Sequence, residues 1–410
     1  MSPRHCCLFK PGRWLFVPLL CCLHACALAQ AAYTLVFGPE QSTPAAIDNA
    51  GRIAGQLAGR AFVWDGANLL DLGSLGGPGS TALALSNNGL VTGGADRPDG
   101  AGVAFLYGAG PLRDIGQLGV ASQGMGVNAS GQVAGTWVDA GGENHAFLYS
   151  GGVARDIGNL GADSARASGI NAAGAVVGSS FLADFAAVHA FLYQGGAMRD
   201  LGTLGGPASA AAAINDAGQI AGTSFIDADT AHAFLYSGGV LQDIGSLGGA
   251  LTEARALNGD GHVVGFSTYA DDEPGVDFSS AFVYRDGLLR DLNLVTERPG
   301  VWTLLDAVGI NDAGQIAALA CTGAGDCRAV RLDPLPAIPE PRPAALMLIG
   351  LATLGAGRLL RRRTRLGGAS NYFICVRCEP SGRHWSPRMT QPHRSTQAWR
   401  NTLLQQTSRN

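Results

Sequence analysis

The chain has 410 residues, of which 47% are hydrophobic, 15% are charged and 60 are glycine. Its formal charge of -4 hides a segregation, because residues 30–336 carry 30 Asp and Glu against 13 Arg while both ends are basic. An acidic body of this kind repels phosphate backbones, which argues against nucleic acid as a partner. It also repels acidic polysaccharides unless divalent cations bridge the two.

The first 29 residues predict a secretory signal peptide. A basic start with Arg4, Lys10 and Arg13 precedes an apolar stretch from Trp14 to Ala27 and a small-x-small cleavage site that ends at Ala29. A retained membrane anchor is the alternative interpretation of the same residues. We therefore expect residues 30–336 to be exported.

A unit of about 43 residues recurs seven times between Tyr33 and Asp333. It reads A-F-L-Y, then D-[LI]-G-x-L-G, then a run of small residues, then I-N-x-x-G-x-[IV]-x-G. Asn followed by Gly predicts a hairpin turn, because the Asn side chain bonds the backbone two residues on and Gly accepts positive φ. The predicted turns are Asn49 to Gly51, Asn87 to Gly89, Asn128 to Gly131, Asn171 to Gly174, Asn215 to Gly218, Asn258 to Gly261 and Asn311 to Gly314.

Four short strands per unit, joined by tight turns, are typical of a β-propeller blade. A parallel β-helix is the competing interpretation, although its coils are shorter and hold fewer hairpins. The seventh unit stops near Leu332 without its fourth strand, and a surplus strand from Tyr33 to Gly38 precedes the first unit. We therefore predict an all-β, seven-bladed propeller at 30–336, closed by the N-terminal strand.

The units resemble the HAF-repeat family of bacterial extracellular proteins. H-A-F stands at His145, His189 and His232, D-L-G-T-L-G-G at Asp200 to Gly206, and I-N-D-A-G-Q-I at Ile214 to Ile220. The resemblance covers nearly the whole span from Tyr33 to Leu332 and implies no general catalytic role. The histidine slot holds other residues in the remaining units, namely Arg60, Val103, Ser280 and Arg328.

Two polar residues of the repeat are interpreted as structural. The Asp of D-[LI]-G occurs in six units, and a catalytic centre needs a unique constellation rather than six copies. The H-A-F histidines share a strand face with Phe and Tyr, which favours packing over a common metal site. No nucleophile with a base and no lysine-bearing phosphate loop is present in residues 30–336.

Acidic residues also gather in the predicted loops between the second and third strands of several blades. Oxygen ligands in flexible loops suit Ca²⁺, yet no complete Ca²⁺ loop is present, so solvated turns remain the alternative. The candidate ligand-binding residues are Asp227, Asp229, Asp271, Asp272 and Glu273. We expect no other cofactor.

Five of the nine cysteines lie in the predicted signal peptide, and the other four form two close pairs. Cys321 and Cys327 flank a short predicted turn, so an exported protein is expected to join them by a disulfide, with two free thiols as the alternative. Cys375 and Cys378 form a lone C-x-x-C without further ligands, which argues against zinc.

The C-terminal segment 337–365 resembles a PEP-CTERM sorting signal. Pro339, Glu340 and Pro341 precede an apolar stretch, which ends before a basic cluster that includes Arg361, Arg362 and Arg363. The resemblance implies an exosortase-type processing enzyme in a polysaccharide-producing Gram-negative bacterium. The apolar stretch predicts a short hydrophobic transmembrane helix with its arginines on the cytoplasmic side, and a permanent single-span anchor is the alternative. Residues 366–410 are polar and without periodicity, so we expect a disordered tail.

These features together predict an exported, noncatalytic repeat protein. It would lie first at the inner membrane as an anchored precursor and then at the cell surface or in the extracellular matrix. There it would bind extracellular polysaccharide or an envelope protein. The alternatives are a propeller polysaccharide hydrolase or lyase and a purely structural surface protein.

Overall fold

The protein is represented by a computed structural model that describes residues 32–108, 110–185, 187–269, 278–297 and 301–335. Of the two units into which the chain divides, the one that ends at Pro334 contains this fold. The predicted signal peptide at 1–29, the sorting segment with its helix at 337–365 and the tail at 366–410 lie outside the described residues.

Strands within the described residues form seven antiparallel sheets of four strands each. The first strand of the chain, β1 (Tyr33–Glu40), belongs to the last sheet. Blade 1 contains β2 (Ser42–Ile47), β3 (Ile53–Leu57), β4 (Arg60–Trp64) and β5 (Leu69–Gly73). Blade 2 contains β6 (Ser80–Leu85), β7 (Val91–Asp96), β8 (Gly102–Tyr107) and β9 (Arg113–Asp114). Blade 3 contains β10 (Ala121–Val127), β11 (Val133–Val138), β12 (Asn144–Ser150) and β13 (Val153–Asp156).

The other four blades follow the same plan. Blade 4 contains β14 (Gly161–Ile170), β15 (Val176–Leu182), a 3₁₀ turn (Ala183–Phe185), β16 (Val188–Gln194) and β17 (Ala197–Asp200). Blade 5 contains β18 (Ser209–Ile214), β19 (Ile220–Phe225), β20 (Ala231–Ser237) and β21 (Val240–Gly245). Blade 6 contains β22 (Thr252–Leu257), β23 (Val263–Tyr269), β24 (Phe278–Arg285), β25 (Leu288–Asp291) and the short helix α1 (Leu292–Val295). Blade 7 contains β26 (Trp302–Ile310), β27 (Ile316–Thr322) and β28 (Cys327–Pro334), and β1 completes it.

The seven sheets close into a ring around a central axis. The first strand of each blade contacts the first strand of the next blade, and β26 contacts β2 in the same way. These seven strands therefore surround the axis, and the fourth strands lie at the outer edge. The predicted seven-bladed propeller is confirmed.

The predicted closure by the N-terminal strand is also confirmed. β1 pairs antiparallel with β28 from Tyr33 opposite Pro334 to Phe37 opposite Val330, and after a bulge Glu40 lies opposite Arg328. The strand thus supplies the fourth position of blade 7, which the last repeat lacks. This pairing joins the two ends of the array within one sheet and covers the edge of β28, so that blade 7 has four strands like the others.

The recurrent Ala-Phe pair forms the packing between blades. Phe234 of blade 5 packs in one cluster with Val177 and Ala190 of blade 4. Its counterparts in the other units are equally buried: Phe62, Phe105, Phe147, Phe191 and Phe282. Burial of one such ring contributes about 2 to 3 kcal/mol, so the repeated Phe is a main source of cohesion.

A β-bulge recurs in the innermost strand of every blade, where it breaks the pairing with the second strand. Next to this bulge the second strand carries a glycine in six blades, such as Gly222 in β19. A Cβ at Gly222 would collide with the carbonyl oxygen of Ala210 in β18. The second glycine of the repeat is therefore required by the close approach of two backbones rather than by a turn.

Turns between the first and second strands form a belt of hydrogen bonds around one face of the ring. Asn215 Nδ2 donates to the carbonyl oxygen of Asn258 in the next blade at 3.0 Å, and Asn311 Nδ2 donates to that of Asp48 at 2.9 Å. Equivalent bonds run from Asn128 to Asn171, from Asn171 to Asn215 and from Asn258 to Asn311. The belt continues across blades 1 to 3 through Asn49 N to Asn87 Oδ1 and through Asn88 Nδ2 to the Ala129 carbonyl oxygen, each at 2.9 Å.

In blades 1 and 2 the predicted start of the turn is wrong by one residue. The amide of Gly51 donates to the carbonyl of Asp48, and the amide of Gly89 donates to that of Ser86, so these turns begin at Asp48 and Ser86. The Asp48 carboxylate accepts the amides of Ala50 and Arg52, as the Asn side chain does elsewhere. A short oxygen-bearing side chain is what the position requires, and Asp and Ser both supply it.

No helix in the described part of the chain is long and apolar enough to cross a membrane. The apolar stretch after Pro341 lies outside that part.

Candidate functional site

The aspartates of D-[LI]-G cap a turn at the end of each outer strand. In blade 4 the Asp200 carboxylate accepts the amide of Gly202 at 2.7 Å, and in blade 5 Asp243 accepts that of Gly245 at 2.7 Å. Asp71, Asp114 and Asp156 accept the amide two residues on in the same way, and Asp291 accepts that of Asn293. These groups hold the connection to the next blade, as their recurrence in six of the seven units suggests.

In six blades the residue in the H-A-F histidine slot contacts a carboxylate of the outer strand. His189 Nδ1 lies 2.8 Å from Asp200 Oδ2, and His232 Nδ1 lies 2.9 Å from Asp243 Oδ2. In blade 7 the pair is Arg328 with Glu40, at 3.0 Å. Arg60 lies 3.7 Å from Asp71, His145 lies 3.4 Å from Asp156, and Ser280 donates to Asp291 at 2.6 Å. In blade 2 the slot holds Val103, and Asp114 is paired instead with Arg97 at 2.6 Å. Since Arg or Ser replaces His in three blades and Val103 replaces it in blade 2, the variation argues against a shared metal cluster of these histidines.

Loops between the second and third strands lie on the face of the ring opposite the Asn belt, and their acidic side chains bond the loops themselves. Asp227 Oδ1 accepts the amides of Asp229 and Thr230 at 2.9 and 2.8 Å. These amides lower the pKa of Asp227. In blade 3 Asp139 Oδ1 likewise accepts the amide of Glu143 at 2.9 Å. The loop carboxylates found by the sequence thus have a turn-forming role in addition to any binding role.

The candidate residues Asp271, Asp272 and Glu273 lie outside the described residues. Asp227 and Asp229 therefore represent the candidate loop site in the structure. Across the described ranges, no group of three or more His, Cys, Asp or Glu side chains is placed to hold a metal ion.

Blade 7 carries a disulfide between Cys321 and Cys327. The two residues lie opposite each other where β27 pairs with β28. The bond fixes the hairpin that receives the closing strand.

The structure also brings together a set of side chains that sequence reasoning missed. One residue of each innermost strand precedes the extra residue of the bulge by two positions. It therefore lies at the same height along the central axis in every blade. These residues, here called the channel ring, are Thr43, Thr81, Gln123, Arg166, Ala210, Glu253 and Asp306. Unlike the Asp and Asn of the repeat, the channel ring differs from blade to blade. This variation between blades is the one signal in the sequence that could identify the channel ring, and it becomes visible only when the innermost strands are aligned by their register.

The acidic members of the channel ring form an ion network between blades 6 and 7. Arg255, the bulge residue of β22, lies 3.3 Å from Glu253 and 3.2 Å from Asp306. It also lies over the Phe266 ring, 5.1 Å from its centroid. Burial raises the pKa of Glu253, Arg255 lowers it in part, and Asp306 raises it further. Burial likewise raises the pKa of Asp306, against the influence of Arg255.

Comparison with known proteins adds little to this geometry. No protein-family model matches the chain, and no curated protein matches it in sequence. Among solved structures, TolB from Acinetobacter baumannii is similar at 13% identity and a TM-score of 0.40, over 69% of this chain and 63% of that one. The β-propeller domain of the trilobed protease from Pyrococcus furiosus is similar at 8% identity and a TM-score of 0.49, over 74% of this chain and 99% of that one. A puromycin-hydrolyzing peptidase from Mycobacterium tuberculosis is similar at 14% identity and a TM-score of 0.41, over 70% and 50% of the two chains. The chain thus spans less than two thirds of the TolB structure and half of the peptidase.

Proposed function

We propose that the protein is an exported, noncatalytic binding module of the cell envelope or extracellular matrix, with a glycan or a protein as its ligand. The observation that carries this proposal is that its polar side chains fall into two sets with different roles. Those that recur in most blades bond the frame, as Asn215 and Asp243 do. Those that differ between blades gather in the channel ring and in the acidic loops, where a ligand could reach them.

The noncatalytic part of the proposal rests on what the carboxylates do. Asp227 and Asp139 bond the amides of their own loops, and Glu253 and Asp306 share Arg255. General acid and base pairs need one carboxylate open to the substrate and poised for proton transfer. The rival function is a polysaccharide hydrolase or lyase, and a purely structural surface protein is a third.

Export and sorting belong to the same proposal. The signal peptide would place the propeller outside the cytoplasm, and the PEP-CTERM-like segment would hold the precursor in the inner membrane until an exosortase-type enzyme cuts it. Mass spectrometry of the protein recovered from cells and medium tests this part. A mature N-terminus near Gln30 and a C-terminus near Pro339 to Pro341 are expected, and an uncut chain in the medium would contradict it.

Binding is tested with the full chain on a glycan array and in a pull-down from matrix material. We expect retention of one glycan class or one envelope protein, without turnover of the glycan. Failure to bind either kind of ligand would contradict the binding function. Cleavage of the organism's own exopolysaccharide would instead establish the enzyme.

A further inference from the structure

Arg166 is an exposed side chain in the middle of an innermost strand. Its neighbours Ala165 and Ala167 are only 3% and 2% exposed, whereas Arg166 is open to solvent. Neighbouring blades cover both faces of β14, since β10 and β18 contact it on either side. The exposure of a mid-strand side chain in this position is therefore toward the central axis, and Arg166 lines the channel.

This channel arginine has no counter-ion among the described residues. The surrounding channel walls keep part of the bulk water from its guanidinium and thereby lower its pKa, and no carboxylate offsets that effect. Seven described arginines form ion pairs, for example Arg52 with Asp48 at 2.6 Å and Arg331 with Asp333 at 2.8 Å. The other described arginines without an ion pair lie on outer strands and not at the axis: Arg113, Arg155, Arg199 and Arg290. In a domain where acidic residues outnumber arginines by more than two to one, a crowded cation without a carboxylate partner is available to an anion from outside.

Uncharged polar groups occupy the next positions of the channel ring. Gln123, on the neighbouring blade 3, is exposed at the same level as Arg166. Beyond it lie Thr81 and Thr43, of which Thr81 bonds Gln56 Nε2 through its hydroxyl. On the other side, Ala210 of blade 5 comes next, and beyond it the carboxylates of Glu253 and Asp306 are engaged with Arg255. One arc of the ring is thus a guanidinium next to hydroxyl and amide groups.

We propose that Arg166 and Gln123 form a binding site in the channel for the carboxylate of a hydroxylated acid of the uronic-acid class. Arg166 donates two parallel hydrogen bonds to the carboxylate, the geometry for which a guanidinium is suited. Gln123 and the threonines bond the hydroxyl groups of the same sugar. The site deepens the proposed glycan-binding function and rests on it.

The charge of the domain limits the ligand to a short acid or a chain end. Residues 30–336 carry 30 acidic residues, which repel a long polyuronate before it can reach the axis. A single uronic acid carries one charge, and Arg166 neutralises it. We therefore expect recognition of a terminal uronic acid residue rather than of the polymer interior.

Isothermal titration of the full chain with D-glucuronic acid, D-glucose and inorganic phosphate tests the site. The matched variants are Arg166→Gln and Arg155→Gln, which remove the same charge. Arg155 is an exposed residue of the outer strand β13, far from the axis. We expect Arg166→Gln to weaken glucuronate binding about ten- to a hundredfold and Arg155→Gln to leave it unchanged. Glucose should bind more weakly and equally to all three proteins.

Two further variants keep the test decisive if Arg166→Gln does not fold, as judged by circular dichroism. Arg166→Lys keeps the charge but not the paired donors and should give an intermediate loss, and Gln123→Ala should weaken glucuronate while leaving phosphate unaffected. Equal affinity in Arg166→Gln and Arg155→Gln, or no glucuronate binding by the wild type, would overturn the site. Phosphate binding as tight as glucuronate would overturn the ligand class. Undiminished glycan-array binding by Arg166→Gln would also refute the site while leaving the proposed function intact.

Discussion

Asn311 is the residue through which the belt of turns closes from blade 7 onto blade 1. Its Nδ2 donates to the Asp48 carbonyl and to Gln315 Oε1, each at 2.9 Å, and its Oδ1 accepts the Gln315 amide at 2.9 Å. The residue is only 3% exposed, so water cannot replace these partners once the side chain is removed. Three lost hydrogen bonds at roughly 1 kcal/mol each predict that Asn311→Ala lowers the free energy of unfolding by about 3 kcal/mol.

Equilibrium unfolding in urea measures this loss, with two variants as references. Asn215→Ala removes the same three kinds of bond, two within blade 5 and one from blade 5 to blade 6, and it should lose a similar free energy. Asn87→Ala removes an exposed link of the same belt, from the Asn49 amide, and it should lose less than about 1 kcal/mol. Equal losses in Asn311→Ala and Asn87→Ala would refute the reasoning that burial gives the belt its strength.

Two further predictions concern the ion network and the disulfide. Because burial raises the pKa of Glu253, the folded protein binds more protons than the unfolded chain between the ordinary and the raised pKa, and this group makes stability rise as the pH falls through that window. Glu253→Gln should therefore be more stable than the wild type near neutral pH, with a difference that shrinks on acidification; thermal midpoints across pH check it, and the exposed Glu143→Gln serves as control. A constant difference at all pH values would contradict the assignment. Reduction of Cys321–Cys327, which closes a loop of sequence separation 6, should cost about 2 kcal/mol. Dithiothreitol should lower the thermal midpoint of the wild type but not that of a Cys321→Ala/Cys327→Ala variant, and equal shifts would point to another target of the reductant.

The architecture could be predicted from the sequence because its signals are repeated. A missing fourth strand after Leu332 and a surplus strand at Tyr33 have one solution in a closed ring, and the pairing of β1 with β28 is that solution. The turn frame in blades 1 and 2 could not be read as well. Asp48 and Ser86 replace Asn at the start of these turns. Each is followed by an Asn, which the sequence pattern takes for the first residue of the turn.

The channel ring could not be predicted, because its definition depends on strand register. A bulge shifts the pairing by one residue, and the side chains beyond it then face the other way. No residue type marks the bulge in the sequence, since its extra residue is Ala45 in blade 1 and Arg255 in blade 6. The loop carboxylates present the opposite difficulty: Asp227 was visible in the sequence, but its bonds to the amides of Asp229 and Thr230 were not.

These observations explain how one repeated frame can carry a unique site. Substitution of Asn215 or Gly222 disturbs contacts that every blade needs, so those positions are constrained by the ring itself. A channel-ring side chain lies on the side of the innermost strand that faces the axis. A substitution there, such as Thr43→Arg, changes no hydrogen bond of the belt. Differences between blades can therefore accumulate around the axis without loss of the fold. The charges of the channel ring differ between blades for this reason, with Arg166 on blade 4 and the carboxylates that pair with Arg255 on blades 6 and 7.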